Sequence, residues 1–129
     1  MLAAARKRLK RFGNVEFRQG DLLAPPLAAG EADLGVVMLV FHHMDDPAAA
    51  LRALSKGFRT GGALLVVDMA SHDRAGYQQT MGHRHLGFSE ADLVAFAAGT
   101  GFTLRRHVRL RPDTSGKGPG LFAALFVRG

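Results

Sequence analysis

The stretch Ala32-Asp33-Leu34-Gly35-Val36-Val37-Met38-Leu39-Val40-Phe41 constrains this chain more than any other part of it. It is almost continuously apolar, yet much shorter than the roughly 20 residues a membrane helix needs. It also lacks the strict alternation of a strand that is wet on one face. A run of this kind suits a strand covered on both faces, as in a parallel sheet. His42-His43-Met44 follows it directly.

The flanking sequence supplies the rest of an alternating strand and helix pattern. Asp45 or Asp46 can cap a helix with Pro47 in its first turn. That helix is predicted to run to about Arg59, with Ala50, Leu51, Leu54 and Phe58 on one face. Thr60-Gly61-Gly62 reads as a tight turn, and Ala63 to Met69 as a second buried strand containing Asp68. Upstream, residues 2–11 are predicted helical, and Gly13-Asn14 stops that helix. Val15-Glu16-Phe17-Arg18-Gln19 alternates apolar and polar, the pattern of a half-buried strand ending at Gly20-Asp21. Pro25-Pro26 and the region of Gly30 form a loop. Downstream, residues 72–86 are polar and rich in His, Arg and Gln, the pattern of one or two short helices over a surface. Ser89-Glu90-Ala91-Asp92 opens a helix with the pattern of a capping box. That helix ends at Gly99 or Gly101, and Phe102 to Leu110 is the next strand. A turn-rich loop from Pro112 to Gly120 leads to a final strand, Leu121 to Val127. Phe96, Phe102, Phe122 and Phe126 are assigned to the core by spacing. The reading is α/β, with a mostly parallel sheet and an antiparallel hairpin at the C-terminal end, in one domain spanning residues 1–129.

Composition excludes several classes. With 129 residues the chain builds one core, and with no cysteine it has neither a disulfide framework nor a thiolate metal site. No apolar run is long enough for a membrane span, and the first residues lack the form of a secretory signal. A cytoplasmic location is expected. The net charge of +6 is concentrated in Arg6-Lys7-Arg8-Lys10-Arg11 and in Arg105-Arg106-His107 with Arg109 and Arg111. These are read as a solvated helix face and the outer side of a strand, because no aromatic residues interleave as a stacking platform for bases requires. Nucleic-acid contact is the alternative.

Taken in order, these motifs carry a resemblance. Gly20-Asp21-Leu22, the run Ala32–Met44, the helix from Pro47, and Arg59-Thr60-Gly61-Gly62-Ala63-Leu64-Leu65-Val66-Val67-Asp68 resemble the later part of class I S-adenosylmethionine-dependent methyltransferases, in their ubiquinone-biosynthesis-like branch. His72-Asp73-Arg74 and Gly82-His83-Arg84-His85-Leu86-Gly87-Phe88-Ser89 look like methyltransferase domains that are fused to an ArsR-type winged-helix repressor. The resemblance covers nearly the whole chain, with one departure. The family opens with a strand, a glycine-rich turn and a helix, then a strand ending in an acid, and none of these is in the sequence. There the glycine turn admits the methionine part of the cofactor, and the acid binds its ribose. The helix at residues 2–11 resembles the one that follows the acid, so the fold is expected to lack its first two strands, with Met1 standing for an internal methionine of the family.

The resemblance implies S-adenosylmethionine as cofactor and methyl transfer to a small-molecule acceptor, with cofactor binding impaired without the glycine-turn segment. It places Asp21 at the adenine amino group, Leu22 near the ring, and Met38 and Leu39 along the cofactor. His43 would face the methyl-transfer region, where a base serves if the nucleophile must lose a proton. Read from the residues alone, Asp21 is a turn aspartate and His43 a structural histidine. His42, His43, His72, His83, His85 and Asp73 invite a metal reading, but a polar lid is preferred and no metal is expected. Strand edges that would be paired in the family must pair with each other or stay open, which favours a homo-oligomer or a second chain supplying strands. The alternative function is a non-catalytic module that binds a partner or nucleic acid through the basic surfaces.

Overall fold

A computed structural model describes residues 2–70, 87–111 and 120–129. Its elements are α1 (Leu2–Arg8), β1 (Ala32–Met38), a 3-10 turn (Phe41–His43), α2 (Pro47–Ser55), β2 (Phe58–Met69), α3 (Glu90–Ala97), β3 (Phe102–Arg109) and β4 (Leu121–Arg128). The strands form one sheet in the order β1-β2-β4-β3. β1 and β2 are parallel, and β4 lies antiparallel between β2 and β3.

The helices start where the sequence supplies acceptors for their first N–H groups. Asp46 accepts from Ala49 N–H at 3.1 Å and Pro47 occupies the first turn. Ser89 and Asp92 form a reciprocal capping box at the start of α3. α2 buries Ala50, Leu51 and Leu54, and α3 buries Leu93 and Ala97, against one face of the sheet. Val37, Leu64, Val66, Phe102, Phe122, Ala124 and Phe126 fill that face. Phe102 stands edge-on to Phe58 and to Phe126, with ring centroids 5.4 and 6.4 Å apart. Each such phenylalanine stabilises the fold by about 2–3 kcal/mol through burial.

α2 is shorter than its periodicity predicts. It stops at Ser55, and Phe58 and Arg59 already belong to β2. Phe58 still reaches the core, now from a strand, and its ring lies over Gly35. The predicted turn at Thr60-Gly61-Gly62 is an irregularity inside β2. The register steps from Ala32 opposite Phe58 to Leu34 opposite Ala63, and Gly61 takes φ +83°. α1 likewise ends at Arg8, two turn bonds carry the chain on to Phe12, and the helix buries no residue.

Two expectations fail in the described residues. Val15–Gln19 is not a strand: it pairs with nothing, and four of its five residues are exposed. Alternation makes a strand only where a neighbour accepts its ladder, and among the described residues Val15–Gln19 is paired with none. β1 in turn is not covered on both faces. Gly35 and Val37 face the core, while Leu34, Val36 and Met38 are 65, 57 and 59% exposed. The register places Leu34, Ala63 and Val127 side by side on this face, then Val36, Leu65 and Leu125, then Met38, Val67 and Ala123. Exposure falls away from β1, with Ala63, Leu65, Ala123, Leu125 and Val127 half-buried and Val67 buried. Among the described residues the β1–β2 pair is parallel and the other two pairs are antiparallel, so the sheet is mixed. No helix among the described residues is long and apolar enough to cross a membrane.

Candidate functional site

The chemistry-bearing residues gather at the carboxyl ends of β1 and β2. Parallel neighbours end on the same side of a sheet, and that end is where open α/β sheets bind ligands. Leu39 continues the ladder past β1 by donating its N–H to Val67 O at 2.8 Å. Its φ is +56°, the left-handed region, which a leucine enters at a cost of about 1–2 kcal/mol. The chain then drops through Val40 into the 3-10 turn, burying Phe41 and His42 and leaving His43 exposed.

Asp68, one residue from the end of β2, is fully buried. One oxygen lies 2.7 Å from His42 Nδ1 and accepts from Met69 N–H at 2.8 Å. The other accepts from His42 N–H at 3.2 Å. The carboxylate thus grips both the ring and the backbone of His42. With Nδ1 as donor, the imidazole tautomer is set. The rings of His42 and His43 lie 4.0 Å apart and tilted by 44°.

Met38, Leu39 and His43 therefore come together at one strand end. Met38 and Leu39 present exposed apolar side chains, 59 and 42% accessible. Asp21 and Leu22 occupy a separate turn. Asp21 accepts from Leu23 N–H at 2.9 Å through Oδ1, and its backbone pairs with Ala24. Leu22 is half-buried against the cluster that contains Val37 and Phe41, so this turn is moored to the same core. The loop behind it is tied by Arg18, which donates to Glu31 at 2.6 Å, to Glu16 at 3.0 Å and to Pro26 O at 3.0 Å. The hydrogen bond from Arg18, then that from Ala28 N–H, holds the Glu31 carboxyl below its usual range. Arg18 lowers Glu16 in the same way, and the two carboxylates raise the guanidinium in return, Glu31 foremost.

Sequence reasoning missed the pairing of His42 with Asp68. The signal was present, since each residue closes an apolar strand and adjacent parallel strands bring such ends together. It also missed that the first basic cluster folds onto local aromatics. Arg6 lies 5.9 Å from the Phe17 ring centroid and Arg11 4.9 Å from that of Phe12. His72, Asp73, His83 and His85 lie outside the described residues. Among the described ones, no three His, Asp or Glu side chains cluster as metal ligands do.

Comparison with known proteins gives the following. The family model described as "Methyltransferase domain" matches residues 1–66, just over half of the chain. No curated protein matches. Many solved structures share the fold. An S-adenosylmethionine-dependent methyltransferase from Thermotoga maritima is 21% identical, with a TM-score of 0.77 over 100% of this chain and 69% of that one. One from Aquifex aeolicus is 18% identical, with a TM-score of 0.76 over 99% and 63%. A complex of the Haloferax volcanii Trm112 methyltransferase activator with a methyltransferase gives a TM-score of 0.82 at 15% identity, over 99% and 67%. The chain thus spans between 63 and 69% of the length of these structures.

Proposed function

The chain belongs to the methyltransferase domain family, and on that basis we propose that it serves methyl transfer from S-adenosylmethionine to a small-molecule acceptor. The observation that carries this reading is the strand end at Met38 and Leu39, apolar and exposed beside the parallel β2. An adenosyl group needs such an apolar wall together with an acceptor for its exocyclic amine. Asp21 would meet the second need: Oδ1 is engaged with Leu23 N–H, and its other oxygen forms no bond among the described residues. Leu22 stands beside it as the apolar contact. These residues carry the chemistry that the nucleoside half of the cofactor would need.

The cofactor would supply an electrophilic methyl group for in-line displacement. The contribution of the chain is to position it and exclude water. His43, exposed at the same strand end, would take the proton from an acceptor that must lose one. No glycine-rich turn follows a strand among the described residues, so the methionine half is weakly held and this chain alone binds the cofactor weakly. The outer edge of β1, unpaired among the described residues, and its exposed Leu34, Val36 and Met38 would suit a second chain, either another copy or one bringing strands.

A titration followed by amide NMR tests the proposal. S-adenosylmethionine at millimolar levels is expected to shift the amides of Asp21, Leu22, Met38, Leu39 and His43. Shifts confined to other regions, or none at saturation, would overturn the site. Micromolar affinity in calorimetry would overturn the claim of weak binding. A second reading, contact with an anionic polymer, is favoured by Arg105, Arg106, Arg109 and Arg111, exposed on and just beyond edge strand β3 and without ion pairs among the described residues. Salt-dependent DNA binding by the pure chain would support it.

A further inference from the structure

We propose that Asp68 and His42 are positioning residues that hold Leu39 in its left-handed conformation and thereby fix the wall of the ligand site. The inference rests on the site described above and concerns how it is kept in shape.

Three observations carry it. Leu39 is the one non-glycine residue with positive φ among the described residues. It sits between two fixed points. On one side its own N–H is bound to Val67 O at 2.8 Å, so it cannot leave the ladder. On the other side, three residues later, His42 is bound to Asp68 through both ring and backbone. Val67 and Asp68 are consecutive in β2, so the chain must leave β1, turn and return to the next residue of the same strand. An extended backbone at Leu39 would carry the chain on alongside β2, opposite Asp68 and Met69, as a continued parallel ladder. The left-handed residue turns it out of that ladder, and burial of Phe41 and His42 completes the closure onto Asp68.

Strain of this sort persists only where the surroundings over-determine it, and it concentrates at functional sites. Here its consequence is geometric. Met38 and Leu39 project into the proposed site from a backbone pinned on both sides. Glycine would suit the φ of residue 39 better, but it would remove the side chain that forms the wall. Asp68 is 0% exposed and does not itself reach ligand, so it acts through His42 and the turn.

The test compares glycine with alanine at position 39, because the difference between those two isolates backbone preference from lost side-chain contacts. With Asp68 in place, Leu39→Gly is expected to melt at a higher temperature than Leu39→Ala. In an Asp68→Asn background the order is expected to reverse, since asparagine keeps the volume but turns a donor toward the His42 N–H. The Leu39 backbone 13C shifts, which report φ and ψ, are expected to move toward extended values in Asp68→Asn alone. A cross-strand contact of purely structural kind would lower stability without moving them. Alanine melting above glycine in the native background would overturn the proposal, as would an unchanged order in both backgrounds or static Leu39 shifts. If Asp68→Asn does not fold, His42→Gln serves the same comparison. None of these measurements uses cofactor. Reversal without cofactor-induced shifts keeps the clamp and removes the proposed function, whereas such shifts without reversal remove the clamp alone.

Discussion

Asp68 holds His42 at two points, with one carboxylate oxygen 2.7 Å from Nδ1 and the other 3.2 Å from the backbone N–H of the same residue. Both partners are buried, so no bulk water replaces a lost bond. Asp68→Ala strands three donors at once: His42 Nδ1 and the N–H groups of His42 and Met69. The expected loss is about 3 kcal/mol of unfolding free energy. Asp68→Asn should lose less, because its remaining oxygen still accepts. Urea denaturation checks both. A loss below about 1 kcal/mol for Asp68→Ala would mean that the pair contributes little.

Gly35 interrupts the apolar run of β1 for a reason that lies on the next strand. A Cβ there would stand 2.5 Å from the tip of the Phe58 ring and 3.3 Å from Leu64 Cδ1. Phe58 is itself buried and packed edge-on against Phe102. Gly35→Ala is therefore expected to destabilise by about 1–3 kcal/mol, the usual cost of overpacking. In the double variant Gly35→Ala with Phe58→Leu, part of that cost should return, and a denaturant midpoint series reads both effects.

This pair also shows what the sequence could reveal. The strand starting at Ala32, a helix cap at Asp45 or Asp46 and the cap at Ser89 were legible, because period and capping chemistry are local; the structure ends the strand at Met38 and chooses Asp46. The placement of Phe58 was not. Its spacing continues the α2 face, and only the sheet register shows that it closes over Gly35 from a strand. Val15–Gln19 shows the converse. Its alternation is a true strand pattern, but a strand is a property of two segments, and among the described residues none pairs with it. At the site, Met38, Leu39 and His43 were legible because they are contiguous. The clamp between His42 and Asp68 depends on two strand ends being adjacent, which no single segment states.

The Arg18 cluster makes a pH prediction. Glu31 and Glu16 have carboxyls lowered in the folded state, chiefly by hydrogen bonds from Arg18. A lowered folded value means that the stabilisation is fully present above the ordinary carboxylate range. It is lost as pH falls through the depressed values. Arg18→Gln should return both carboxyls toward their usual range in a carboxyl 13C titration. It should also make the tie between the Pro26 loop and the Glu31 segment insensitive to acid. The stability difference between the two proteins is expected to shrink as pH falls, and a constant difference would show that the pairs are not its source. The groups are exposed, so the effect is small.

The exposed apolar side chains of β1 predict concentration-dependent association. Leu34, Val36 and Met38 lie exposed along an edge strand whose outer backbone groups pair with nothing among the described residues. Such an edge is a template for another strand, and β1 carries no lysine or proline to discourage one. The net charge of +6 opposes self-association at long range, whereas apolar burial favours it at contact. The balance should therefore shift with salt. Added salt screens the repulsion and leaves the apolar term intact, so the mass measured by light scattering should rise with both protein concentration and ionic strength. Val36→Lys places a charge in the middle of the patch at a site 57% exposed, where the cost to folding is within about 0.5 kcal/mol. That variant should remain monomeric where the parent associates, with an unchanged melting temperature at low concentration. A parent that scatters as a monomer at every salt and concentration would show that the edge is protected in the intact molecule, and the proposal of a partner at β1 would fall with it.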